Sequence, residues 1–170
     1  MSADEIKNDA KQGRRGDGGV YLVVAEDNAE FGVALRYAAR RAQAHRAHVG
    51  ILHVINIEDF QHWGKVEEMM MQELRAEAEK QIWAHAKTVN DLNGIYPVLY
   101  FAEGHRTDTI IEVIDQDENI RTLILGGAEQ ASGPGPLVSY FTGKGLAKLR
   151  VPVVVVPGHL EMQKIDSISL

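Results

Sequence analysis

Short apolar runs alternate with longer segments whose apolar residues recur every three or four positions, and the alternation continues from residue 20 to residue 156. The first run, Tyr21-Leu-Val-Val-Ala25, is continuous and rich in β-branched residues. That pattern predicts a strand covered on both faces. Asp27 and Asn28 then stand as N-cap candidates for a helix over about Ala29–Ala44, where Phe31, Ala34, Leu35, Ala38 and Ala42 share one face. A second strand follows at Val49–Ile55. Beyond a loop with Phe60, His62 and Trp63, a long helix is expected over Val66–Leu92, with Val66, Met70, Leu74, Ala78, Ile82 and Val89 as its stripe. Gly94 stops it, and Pro97 opens a third strand at Val98–Ala102.

The second half repeats the scheme. Glu103-Gly104 turns into a helix over Thr107–Asp115, a fourth strand runs Arg121–Leu125, a fourth helix is expected over Tyr140–Leu149, and a fifth strand over Val151–Val156. Four crossovers joining five strands imply parallel pairing with helices on both faces. The fold expected is a doubly wound α/β three-layer sandwich. Residues 1–19 read as a polar, flexible leader, 20–158 as the domain and 159–170 as a polar C-terminal tail.

Composition narrows the function more than the fold. A chain of 170 residues suits one domain with its own core. A net charge of −6 disfavours nucleic acid as a partner, because phosphates need a basic face. With no cysteine there are neither disulfides nor thiolate metal sites, in keeping with a cytoplasmic protein. The leader lacks the apolar segment of a secretory signal, and Val151–Val156 is too short to cross a bilayer, so no membrane partner is expected. Neither His45 and His48 nor the loop residues His62 and His105 have the spacing of a zinc site. Nucleophile-elbow, zinc-protease and Walker motifs are all missing, and nothing nominates an enzyme.

Several segments, taken in order, resemble the universal stress protein family. They are Tyr21-Leu-Val-Val-Ala-Glu-Asp-Asn-Ala-Glu30, the Leu35-Arg-Tyr-Ala-Ala39 helix, Leu52-His-Val-Ile55, Glu103-Gly104, Leu123-Ile-Leu-Gly126 and Val151-Pro-Val-Val-Val-Val156. The resemblance implies a flavodoxin-like parallel sheet of order 3-2-1-4-5 and a regulatory role in the stress response. It implies a homodimer through the last strand, here Val153, Val154, Val155 and Val156, and an unidentified protein partner. It further implies a nucleotide, ATP or AMP with magnesium, beside strands one and four, where a doubly wound sheet opens. The candidate contacts are then Ala25, Glu26, Asp27, Val54, Gly126, Gly127, Ser132, Gly133, Ser139 and Tyr140.

The ATP-binding members of that family carry Gly-x-x-Gly, nine residues, then Gly-Ser or Gly-Thr. Aligned on Gly126, this chain has Glu129 at the second glycine and Ser139-Tyr140 at the closing pair. Starting from Gly127 gives Gln130 and Tyr140-Phe141. Pro134 and Pro136 have no N–H to offer a phosphate, and Glu129 would repel one. Ser132, Gly133, Gly135 and Ser139 remain as donors, with Lys144 and Lys148 as sources of charge. The alternative is an interaction protein without cofactor, in which the Gly-Pro loop is a structural turn. A slow ATP hydrolase is a third reading and requires bound nucleotide.

Overall fold

The computed structural model describes residues 18–56, 67–130 and 132–169. The leader up to residue 17, the loop with Phe60, His62 and Trp63, and Val66 at the expected start of the long helix lie outside the described residues. Five parallel strands, β1 (Val20–Val24), β2 (His48–Asn56), β3 (Val98–Gly104), β4 (Ile120–Gly127) and β5 (Val153–Pro157), stand in the order β3-β2-β1-β4-β5. Between them run α1 (Ala29–Ala44), α2 (Glu67–Asn93), α3 (Arg106–Gln116) and α4 (Pro136–Phe141), and α5 (Met162–Ile168) follows the last strand. The α/β sandwich expected from the alternation is the fold observed.

The central strands are apolar over most of their length because each alternate residue meets a different helical layer. Val23, Ile51, Ile124 and Val156 face α1 and α2, where Phe31, Leu35, Ala38, Ile82 and Val89 are buried. Leu22, Leu52, Leu123 and Leu125 face the other way, against Ile110 and Ile114 of α3 and Leu137 and Phe141 of α4. Register keeps the two sets in layers, with Val23 beside Ile51, Leu22 beside Leu123 and Leu123 beside Val153. A one-residue slip would exchange the layers, so burial on both faces fixes the pairing.

Three local expectations need correction. The long helix buries Ala78, Ile82, Ala86 and Val89, but Leu74 is exposed and Met69 more so. At 27 residues α2 is about 40 Å long, well beyond the sheet it covers, and its N-terminal turns lack a partner layer among the described residues. The fourth helix is earlier and shorter than Tyr140–Leu149. Pro136 occupies its first turn, where a fixed φ and missing N–H cost nothing. Gly143 and Gly145 then discourage its continuation, leaving only a 3-10 turn at Leu146–Lys148. The fifth strand begins at Val153 instead of Val151 because Pro152 cannot donate to the ladder, although its carbonyl accepts from Leu123 N–H at 3.0 Å.

The tail is a docked helix. Ile165 and Ser169 are buried, and Asp166 takes two hydrogen bonds from Arg36 (2.9 and 2.7 Å) and one from Arg40 (3.2 Å), both on α1. Those guanidiniums, Arg36 foremost, hold the Asp166 carboxyl below the usual carboxylate range. Its polar sequence hid this role, because one buried isoleucine and one acidic residue carry the contact.

Candidate functional site

The chain leaves β1 towards β2 on one face of the sheet and leaves β4 towards β5 on the other, so a crevice opens between their carboxyl ends. The β1–α1 turn forms one wall. Ala25 is buried, its N–H donating to Leu52 C=O at 2.8 Å. Glu26 follows with a side chain only 17% exposed, and Arg106 Nη1 lies 3.3 Å from its Oε1. Asp27 is exposed. Of the two expected caps, Asn28 does the work, its Oδ1 accepting from Phe31 N–H at 2.9 Å.

Arg106 is the residue that sequence reasoning missed. It is the first residue of α3, and its Nε is buried with no hydrogen-bond partner among the described residues. The signal available was a cation two residues after a strand-ending Glu103-Gly104, the carboxyl edge where the other site candidates also gather. Nearby, His53 of β2 is half-buried, and burial first, then the charges of Arg106 and His85, push its imidazole below the ordinary value. His85 of α2 is lowered by burial alone and meets Phe31 edge-on, ring centres 4.7 Å apart. Arg75 of α2 donates to Glu103 at 2.6 Å and holds that carboxyl low. His105, at the N-cap position of α3, is exposed.

The β4–α4 loop forms the other wall and is built differently. Gly126 is a packing glycine: a Cβ there would run into the Glu30 carbonyl of α1. Gly127 lies against Val155. The loop then closes on itself, with Ala128 N–H donating to Pro134 C=O (3.0 Å) and Gly133 N–H to Gln130 C=O (2.9 Å). Gly133 and Gly135 have φ of 103° and 98°, a region that only glycine enters without strain, and no atom packs where their side chains would be. Glu129 is drawn aside to His159 Nδ1, 3.3 Å away, beyond the end of β5.

Of the remaining candidates, Ser132 is exposed with Oγ 3.4 Å from Gln130 Oε1, and Ser139 is exposed on α4. Tyr140 is half-buried, with the ammonium groups of Lys144 and Lys148 at 5.5 and 6.0 Å from its ring centre. Val54 lies in the core facing α3 and α4, only 5% exposed. The structure therefore gathers Ala25, Glu26 and Asp27 on one wall and Gly126, Gly127, Ser132, Gly133 and Ser139 on the other. Among the described residues no three His, Asp or Glu side chains converge to hold a metal, and no helix is long and apolar enough to cross a membrane.

The sequence matches the model of the universal stress protein family over residues 21–157. The chain belongs to that family. No curated protein matches the sequence. Among solved structures it is similar to the universal stress protein UspA of Lactobacillus plantarum (TM-score 0.65, 19% identity, covering 83% of this chain and 99% of that one). A family member from Burkholderia pseudomallei gives a TM-score of 0.63 at 14% identity over 82% of this chain and 96% of its own. A universal stress protein in complex with cAMP gives 0.53 at 16% identity over 82% and 97%. At such identities the likeness is one of fold.

Proposed function

We propose that this universal stress protein is a regulatory module of the stress response whose crevice takes an adenine mononucleotide in preference to magnesium ATP. The observation that carries this reading is the self-closed β4–α4 loop. A triphosphate needs a run of backbone N–H groups aimed outward. Here Ala128 and Gly133 spend theirs inside the loop, and Pro134 and Pro136 have none. Enough remains for one phosphate: the Ser132 and Ser139 hydroxyls beside the open backbone at Gly133 and Gly135. Glu129, which would oppose an anion, has its Oε1 3.3 Å from His159 Nδ1, beyond the end of β5. Glu26, Asp27 and Arg106 supply polar contacts for a ribose on the opposite wall. The cAMP complex of a similarly folded relative supports a ligand of this size.

Titration calorimetry of ligand-stripped protein with AMP and with cAMP tests the reading. We expect saturable heat with Kd on the order of micromolar, about −8 kcal/mol. Absence of heat with both would leave the second reading, a cofactor-free interaction protein. In either case β5 is an edge strand, bonded to β4 alone among the described residues, and we place a homodimer contact at Val153–Val156. A monomer in light scattering at high concentration would contradict that contact.

A further inference from the structure

At the edge of the sheet opposite β5 stands β3, bonded to β2 alone among the described residues. Native edge strands are commonly short, kinked by a bulge, or marked with lysine or proline, because their outward N–H and C=O groups invite pairing. β3 uses none of these devices. It pairs with β2 over seven residues in unbroken register, and Val98-Leu-Tyr-Phe-Ala102 holds neither charge nor proline. Phe101 is 46% exposed on it, and Ile95 and Tyr96, just before the strand, are 40% and 41% exposed.

A groove of about 350 Å³ follows this edge, between Leu99 to Ala102 of β3 and Val113, Gln116 and Asp117 at the end of α3. Tyr100, Ala102 and Val113 pack on the core beneath it. The Tyr100 hydroxyl donates to Asp117 Oδ2 at 2.8 Å and ties the strand to the end of the helix. A cleft between an unpaired edge strand and a helix has the shape that admits one more strand.

The charge beside the groove is of one sign. From Val98 to Ile120 the chain carries six carboxylates, one arginine and no lysine. That arginine, Arg106, pairs with Glu26, and Arg150 donates to the carbonyls of Ile114, Asp117 and Ile120. Asp108, Glu112 and Glu118 are exposed and make no ion pair with any described residue. Asp108, Glu112 and Gln116 succeed one another at four-residue steps, one row along α3, and Gln116 borders the groove. Each step of that row advances about 6 Å. Alternate residues of an extended strand are about 6.6 Å apart. A strand with a cation at every second position therefore keeps pace with the row.

We propose that the β3 edge and its groove bind an extended segment of a partner protein that carries basic side chains at alternate positions. The segment extends the sheet through backbone hydrogen bonds to β3. Its basic side chains lie on the α3 side, towards Asp108 and Glu112, and the apolar ones between them lie over Phe101. None of the crevice candidates borders the groove, and β5 is at the other edge, so the site stands whether or not a nucleotide or a homodimer forms.

The test is an amide NMR titration of the full chain with an acetylated and amidated hexapeptide of alternating lysine and valine. Its glutamate–valine counterpart and a version methylated on its backbone nitrogens serve as controls. Saturable shifts at Leu99–Ala102, Val113 and Gln116 are expected with the lysine peptide, and binding about tenfold weaker or less with the glutamate peptide. Methylation should abolish binding, because it removes the backbone donors and keeps the charge. Glu112→Lys combined with Gln116→Lys should weaken the lysine peptide about tenfold and leave the thermal midpoint in place, since both residues are exposed. No saturable shift at β3 up to about 5 mM lysine peptide, equal binding of either control, or unchanged binding by the double variant would each overturn the proposal. Concentration-dependent shifts at Leu99–Ala102 without peptide would overturn it too, by assigning this edge to a second copy of the chain.

Discussion

The two walls of the crevice face each other across the same pair of strands, yet they are held by different means. The β1–α1 turn is fixed by side chains: Asn28 caps α1 and Arg106 reaches over to Glu26. The β4–α4 loop is fixed by backbone: two internal hydrogen bonds, two prolines and two glycines at positive φ. Side-chain fixing leaves a wall chemically specific and open to retuning by substitution. Backbone fixing sets a shape that few substitutions can alter, and here that shape consumes the donors a polyphosphate needs.

The comparison can be broken most sharply at its hinge, Gly126. A methyl group there would meet the Glu30 carbonyl, a helical backbone atom that cannot step aside. Gly126→Ala should cost about 3 kcal/mol in urea unfolding, an overpacking penalty at the upper end of the usual range. Arg106→Ala comes next at about 1–2 kcal/mol, because it leaves the mostly buried Glu26 carboxylate without its partner. Adding Glu26→Gln should recover part of that loss. If it recovers none, the pair is not what holds the first wall.

Gly133→Ala separates the second wall from the first. Nothing packs at its side-chain position, so the cost is backbone strain alone, about 1 kcal/mol, without any steric term. A much larger loss would mean that the loop is packed and closed to ligand. The smallest effect is on pH dependence. His53 and His85 titrate below the ordinary value of 6.5 in the folded chain, chiefly through burial. The unfolded chain therefore binds more protons in the interval beneath 6.5. Stability should fall as pH drops from about 6.5 through their lowered values and then level off. The Asp166 contribution is distinct, being lost only at lower pH, below the ordinary carboxylate value of 3.8. Urea midpoints of the wild type and of a His53→Gln, His85→Gln variant at pH 7.5 and 5.5 check this. An equal slope in both would assign the pH dependence elsewhere.

The contrast also explains what the sequence disclosed. Strands buried on both faces leave mostly apolar runs, so Tyr21–Ala25, Val49–Ile55 and Arg121–Leu125 announced the sheet and its class. The position of the crevice followed from topology. Glu129 and the prolines were visible as obstacles, but the turn of Glu129 towards His159 depends on residues thirty positions apart. The Glu26–Arg106 pair spans eighty residues and leaves no local pattern. Likewise α5 docks through Asp166 and Ile165, which no periodicity singles out. What stayed illegible was side-chain pairing between distant segments, as expected when a signal lies in three dimensions and not in spacing.

The measurement that bears most directly on the central claim is the ratio of AMP to ATP affinity, taken by calorimetry with and without magnesium on stripped protein. The self-closed loop predicts AMP tighter than ATP by about tenfold or more, roughly 1.4 kcal/mol, with little effect of magnesium. ATP binding as tightly as AMP, or requiring magnesium to do so, would contradict the account and show that the Gly-Pro loop opens to cradle a triphosphate.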